Sequence, residues 1–313
     1  VNTLVVRGVR QEADAVRSFR FERPDGGPLH PWEPGAHLEF TLPSGLIRHY
    51  SLCGDPEDRT GYTVAVLDQP AGRGGSAEFH RVAIPGAELQ VGEPRNHFPL
   101  DEAQSHLFIA GGIGITPILP MLRSVAQAGS RFRVLYGGRS MTSMAFRDQV
   151  LGYGRAASLV PEDVAGRIDI AGELSRCPAG VQVYCCGPEP LLLAVEAACA
   201  TDPRVGGLHF ERFGAAATPR PVAGGGTFEV ELARSGVTVV VDDGSTILDK
   251  VLEVAPGQPW SCREGYCGTC ETTVIAGEPD HADDILTDEE RASGAVMMIC
   301  VGRSRGPRLV LDI

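Results

Sequence analysis

Residues 261–270 read SCREGYCGTC, which sets Cys262, Cys267 and Cys270 at the spacing C-x4-C-x2-C. A fourth cysteine, Cys300, follows in VMMICVGRS, residues 296–304. This is the plant-type ligand pattern for a [2Fe–2S] cluster, in which four thiolates hold two irons. Gly265 and Gly268 lack a Cβ, so the loop can wrap tightly and aim backbone N–H groups at the sulfurs. The competing readings are a zinc site or buried free thiols. Zinc usually takes cysteines as two C-x2-C pairs, and a single such pair is present.

Around this loop the pattern is that of a small sheet crossed by one helix. TFEVELA and VTVVVDD flank Arg234-Ser235-Gly236 as a hairpin, and ETTVIAG, VMMICVG and RLVLDI read as further strands. TILDKVLEVA places Ile247, Leu248, Val251 and Leu252 on one helical face. Upstream, GAAATPRPVAGGG, residues 214–226, is dominated by Ala, Pro and Gly without apolar periodicity and reads as a linker.

From Ser105 to Phe213 short apolar strands alternate with helices, which predicts a parallel sheet with crossover helices. HLFIAGG, RFRVLYGG, RIDIA, VQVYCCG and GLHFERF are the expected strands, and PILPMLRSVAQAG, MTSMAFRDQVLGYG and PEPLLLAVEAACA the helices. Ligands on such sheets bind at the carboxyl ends of the strands. Those ends carry Gly111-Gly112-Ile113-Gly114-Ile115-Thr116-Pro117, Gly137-Gly138-Arg139-Ser140 and Cys186-Gly187-Pro188.

Residues 1–100 show alternating apolar positions in AVRSFRF, AHLEFTL and YTVAVLD, separated by turn-rich segments, as in a small antiparallel barrel or sandwich. Arg48-His49-Tyr50-Ser51-Leu52 puts a permanent cation and an aromatic ring on one side of a strand, suited to a phosphate and a flat ring. An exposed edge strand is the plain alternative. Gly72-Arg73-Gly74-Gly75-Ser76 is a glycine-rich turn opening a helix, a ready anion site, although Ser76 alone would also serve as an N-cap.

The 313 residues suffice for two or three domains. Apolar residues make up 43% and no apolar run reaches the ~18 residues of a membrane span, so no membrane role is expected. The start, VNTLVVRGVRQEADAV, lacks the h-region of a signal peptide. Cys53, Cys177, Cys185, Cys186 and Cys199 are left over from the cluster and form no disulfide-like framework, which suits a reducing cytoplasm. Of the net charge of −12, residues 227–313 hold 16 acidic against 7 basic side chains, or −9, leaving −3 upstream. That balance argues against nucleic acid. The acidic face is either a solvated surface or a docking surface for a basic redox partner.

With RHYSL, GRGGS, GGIGITP, YCCGP, HFERFG and the four cysteines in order along the chain, the sequence resembles the phthalate dioxygenase reductase and vanillate O-demethylase reductase family. It is similar too to the reductase modules of self-sufficient haem-thiolate monooxygenases. The resemblance spans essentially the whole chain. It implies an antiparallel β-barrel flavin domain at 1–102, an α/β parallel-sheet nucleotide domain at 103–213, a linker at 214–226 and a β-grasp ferredoxin domain at 227–313. It further implies that Arg48, Gly74, Gly75 and Ser76 hold the phosphate of FMN, that Tyr50 lies against the isoalloxazine and that Ser51 sits at its reactive edge. Gly112, Gly114, Thr116, Gly187 and Pro188 would support the nicotinamide nucleotide, with Thr116 between the two cofactors. Cys186 would stand beside the nicotinamide ring and Phe213 would cover the flavin; a core cysteine and a packed aromatic are the alternatives.

An acidic residue after the second parallel strand commonly marks NAD, and here Arg139-Ser140 stands instead, which leans towards NADPH without excluding NADH. With 27 Arg and one Lys in the chain, any basic position tends to be Arg. The expected activity is electron transfer from NAD(P)H through FMN and the cluster to a terminal oxygenase, by a monomeric module. That oxygenase is a Rieske non-haem-iron enzyme or a haem-thiolate monooxygenase, separate or fused upstream. A non-enzymatic electron carrier or redox sensor is the alternative of another kind, and a carrier has no need of nucleotide loops.

Overall fold

The structure, a computed structural model, describes residues 2–70, 72, 74–214 and 226–313. It forms two compact units, Val1–Phe213 and Gly214–Ile313. All but the two ends of the expected linker, together with Arg73 of the glycine-rich turn, lie outside the described residues.

The first unit begins with strands β1 (Asn2–Ala13), β2 (Val16–Glu22), β3 (Ala36–Thr41), β4 (Ile47–Ser51) and β5 (Tyr62–Leu67). Helix α1 (Gly75–Val82) and strands β6 (Glu88–Val91) and β7 (Arg95–Asn96) follow. The strands run in the order β4-β3-β6-β1-β2-β5, with β7 on β3. A bridge from Leu52 to Val64 joins the two ends, closing the sheet as a barrel. Alternation along β2 sends Phe19 and Phe21 inward, and both meet Phe79 of α1, which also touches Phe40 and Tyr50. Burying that one ring contributes about 2–3 kcal/mol and fixes where the start of α1 falls.

The same unit continues with β8 (Ser105–Gly111), α2 (Ile115–Gln127), β9 (Arg131–Gly138), α3 (Arg147–Leu151) and β10 (Ala157–Pro161). Then come α4 (Glu162–Ala165), α5 (Ile170–Leu174), β11 (Val181–Cys186), α6 (Glu189–Cys199) and β12 (Val205–Glu211). The sheet is parallel throughout, in the order β10-β9-β8-β11-β12. Its direction of winding reverses between β8 and β11, where a crevice opens at the strand ends. The barrel and this sheet share one apolar cluster that includes Val16, Cys53, Ala65 and Phe98 with Phe108, Ile118, Leu122 and Tyr184.

One expected strand is not a strand. RIDIA alternates, yet Asp169 accepts the Gly172 N–H at 3.0 Å and caps α5 over its second half. The third strand is instead Ala157–Pro161, whose backbone pairs in parallel with β9. The helix expected over MTSMAFRDQVLGYG shrinks to α3, because Phe146 adopts φ 57 and breaks the preceding turn.

The second unit comprises β13 (Phe228–Leu232), β14 (Val237–Val241), α7 (Ile247–Val254), β15 (Glu271–Ala276) and β16 (Pro279–Asp280). Helix α8 (Asp288–Ser293) and strands β17 (Val296–Met298), β18 (Arg303–Ser304) and β19 (Arg308–Leu311) complete it. The order β14-β13-β19-β15-β17, with β13 and β19 parallel, is the β-grasp arrangement around α7. Thr246 and Asp249 cap α7 reciprocally, and Ile247, Leu248 and Val251 enter the core.

Candidate functional site

Because Phe79 anchors α1 in the barrel mouth, the helix starts beside Arg48 on β4. A Cβ on Gly75 would collide with Nε of Arg48, so the guanidinium lies across the bare backbone at the helix start. Gly74 is the N-cap, in a left-handed conformation at φ 79, and no side chain caps the helix. Ser76 is not the N-cap: its hydroxyl accepts the Gln69 N–H at 3.1 Å. A guanidinium over an uncapped helix start fits a phosphate. Nearby, the Tyr50 ring packs 4.8 Å from Phe79, and its buried hydroxyl has no hydrogen-bond partner among the described residues, so burial raises its pKa. These residues fit the phosphate and ring of FMN.

Ser51 closes β4 and points to the parallel sheet. Its Oγ donates to Oε2 of Glu211, at the end of β12, over 3.1 Å, and the Cys186 thiol lies 3.9 Å from the same oxygen. Glu211 keeps some surface as a residue, but its carboxyl is enclosed, and burial pushes its pKa up to about 8 against the two hydrogen bonds that lower it. The Cys186 thiol is held well above its ordinary value by burial and by Glu211, so it stays protonated. Glu211 was not among the expected site residues; the signal was an acidic side chain closing the GLHFE strand.

The glycines at the crevice are there for close approach. A Cβ on Gly114 would strike the Cys186 carbonyl, and one on Gly111 would come within 2.6 Å of Pro188 Cδ. Gly187 meets Gly111 on the same crossing, while Gly112 has φ 55. Thr116 is buried at the start of α2 and its hydroxyl donates back to Ile113 O at 2.9 Å. Arg139 and Ser140 stand apart, at the end of β9. Arg139 is exposed, and its carbonyl accepts the Asp163 N–H at 3.2 Å. Ser140 bonds the turn that follows it, through Thr142 and Ser143. Phe213, at the close of the unit, remains 42% exposed.

In the second unit Cys262, Cys267, Cys270 and Cys300 are all buried, and none of the nine cysteines forms a disulfide. Gly265 and Gly268 take φ 76, and Arg263 takes φ 60, which curls the loop around its own sulfurs. The Glu264 N–H donates to Cys262 Sγ at 3.3 Å and the Cys262 N–H to Cys267 Sγ at 3.4 Å. Cys300 lies within reach of both Cys262 and Cys270. Among the described residues no three His, Cys, Asp or Glu side chains converge on a single ion. A two-iron cluster instead divides four thiolates between its metals, and the amide-lined cysteine loop fits that demand.

The family described as 2Fe-2S iron-sulfur cluster binding domain matches residues 230–304. Phenoxybenzoate dioxygenase subunit beta of Ectopseudomonas oleovorans is 42% identical, over 99% of this chain and 97% of its own length. Phthalate dioxygenase reductase, whose structure is described as modular for electron transfer from pyridine nucleotides to [2Fe-2S], is 36% identical with a TM-score of 0.71. The match covers 99% of this chain and 97% of that one. The chain belongs to the phthalate dioxygenase reductase family. As a member of that family it is an NAD(P)H-dependent oxidoreductase built on FMN and a [2Fe–2S] cluster. An intact type IV self-sufficient cytochrome P450 monooxygenase contains a region 40% identical, with a TM-score of 0.90, covering 100% of this chain and 41% of that one. The chain thus spans about two fifths of that P450. Among the described residues no helix is long and apolar enough to cross a membrane.

Proposed function

We propose that this chain takes hydride from NADPH or NADH at the crevice of Ser51, Thr116, Cys186 and Phe213 and serves a Rieske non-haem-iron oxygenase. When bound, FMN supplies the conversion of paired to single electrons and the cluster carries them one at a time. Arg48, with the amides of Gly74, Gly75 and Ser76, binds the flavin phosphate, and Tyr50 orients the ring. Ser51 and Glu211 hold a proton at the reactive edge: the carboxyl is protonated at neutral pH and shares its Oε2 with the Ser51 hydroxyl. Cys186 is small enough to leave room for the nicotinamide, and Phe213 excludes water until the nucleotide displaces it.

Gly112, Gly114, Gly187 and Pro188 cradle the nucleotide, while Arg139 and Ser140 meet its adenosine end. Cys262, Cys267, Cys270 and Cys300 ligate the cluster. Functionally the chain divides into an FMN part at 1–102, a nucleotide part at 103–213, a linker at 214–226 and the cluster part at 227–313. It works as a monomer in the reducing cytoplasm, consistent with nine cysteines that form no disulfide.

The observation that carries this reading is the Arg48 guanidinium laid over Gly75 at an uncapped helix start, in one chain with four buried thiols. Anaerobic titration of the reconstituted protein with NADPH or NADH tests it. The flavin absorbance should bleach and the electron paramagnetic resonance signal of a reduced cluster should grow. Bleaching without that signal would sink the reading. A second acceptor, a haem-thiolate monooxygenase, is favoured by the whole-chain likeness to the P450. Comparing reduction of a purified Rieske oxygenase with that of a haem-thiolate protein decides between them.

A further inference from the structure

Behind the cysteine loop the second unit buries charges that the electron route does not use. Asp283 is 1% exposed and Arg291 13%, and Nη2 of Arg291 donates to Asp283 Oδ2 at 3.1 Å and to its carbonyl at 2.7 Å. Oδ2 also accepts the N–H groups of Ile285, at 3.2 Å, and Leu286, at 2.9 Å. The His281 ring, 7% exposed, stands 3.9 Å from Oδ1. Arg305 and Asp280 form a second pair close by, at 3.4 Å. Both ring nitrogens of His281, Oδ1 of Asp283, and Nε and Nη1 of Arg291 are buried without a hydrogen bond among the described residues. The charges of Asp283 and Arg291 are therefore poorly screened.

This group bears directly on the cluster loop. The Asp284 N–H donates to Gly265 O at 3.0 Å, and a Cβ on Gly265 would lie 3.1 Å from Asp283 Cα and 2.8 Å from Val301 Cγ2. Gly265 lies in the loop between Cys262 and Cys267, and Val301 directly follows Cys300. The segment that carries Asp283 thus packs on the backbone of the ligand loop.

We propose that Asp283 and Arg291 are positioning residues whose balanced buried charges set the reduction potential of the cluster. Reduction adds one negative charge to the cluster, and net charge around it is one of the levers that set its potential. With both partners present the fields largely cancel. With Asp283 neutralised, the guanidinium favours the reduced state; with Arg291 removed, the carboxylate opposes it. The proposal rests on the cluster assignment, so iron and sulfide per chain are measured first, which separates failure of that assignment from failure of the proposal.

The experiment is a mediated redox titration of the full chain, followed by visible absorbance, for wild type, D283N, R291M and the double variant. D283N should raise the midpoint and R291M lower it, each by at least threefold in the one-electron equilibrium constant. A tenfold change would correspond to about 59 mV. The double variant should return towards wild type. If one single variant sheds its cluster, the other and the double variant carry the test. Shifts of the same sign, no shift, or loss of the cluster from both single variants would overturn the proposal, the pair then being only a prop for the loop.

Discussion

Glu211 couples the reactive crevice to pH. Its pKa stands near 8 in the folded chain against an ordinary 4.5, so the folded state keeps a proton that the unfolded chain releases. Stability from this group is complete below the unfolded value and drains away as pH rises from about 4.5 through 8, by up to about 5 kcal/mol. Glu211→Gln, which has no proton to lose, should melt at a higher temperature than wild type, with a larger gap at pH 8 than at pH 5. Thermal melts of the flavin-free protein measure this, and a gap independent of pH would remove the buried-carboxyl argument. At the other end of the crevice, Arg139 is exposed at the end of β9, where a 2′-phosphate would reach it. Arg139→Asp should lower kcat/KM for NADPH roughly tenfold to a hundredfold relative to NADH, the worth of one charged hydrogen bond. An unchanged ratio would mean that the side chain serves only the surface.

Helix α1 and the cysteine loop work as units, and each suggests one substitution. A methyl group at Gly75 needs only the mobile end of Arg48 to move, so Gly75→Ala should leave the melting temperature nearly intact. It should weaken FMN binding tenfold to a hundredfold, as read by fluorescence titration of the apoprotein. Equal FMN affinity would show that Arg48 binds something else. Cys267→Ser removes a thiolate from the loop and should abolish cytochrome c reduction while NAD(P)H-driven ferricyanide reduction persists; joint loss with FMN still bound would contradict separate sites.

Most elements were legible because period and punctuation agree in them, as in TILDKVLEVA with its Thr246 cap. RIDIA misled because the cap at Asp169 outweighs two alternating isoleucines, and ASLVP was passed over because its strand character comes from pairing with β9. The cysteines were legible because their spacing is local. The bond from Ser51 to Glu211 joins residues 160 apart, and nothing in either segment announces the other. The same holds for the placement of Asp283 against Gly265.

Across the whole molecule charge is concentrated where electrons leave. Sixteen acidic against seven basic residues occupy 227–313. A basic acceptor should therefore be reduced more slowly as salt shortens the Debye length from ~30 Å at 0.01 M to ~8 Å at 0.15 M. Flavin reduction by NAD(P)H, followed by stopped flow in the same buffers, is the control, and equal acceptor rates across the range would reduce the acidic face to solubility. The apolar cluster shared by the barrel and the parallel sheet has a consequence for heredity. A crossover between genes near residue 102 would split a buried interior and leave both products with bare apolar surface. One at 213/214 hands on two pieces that each arrive with a complete core. Descent should therefore treat the last hundred residues as a cassette, gained, lost or moved to the other end, while the first 213 pass down together.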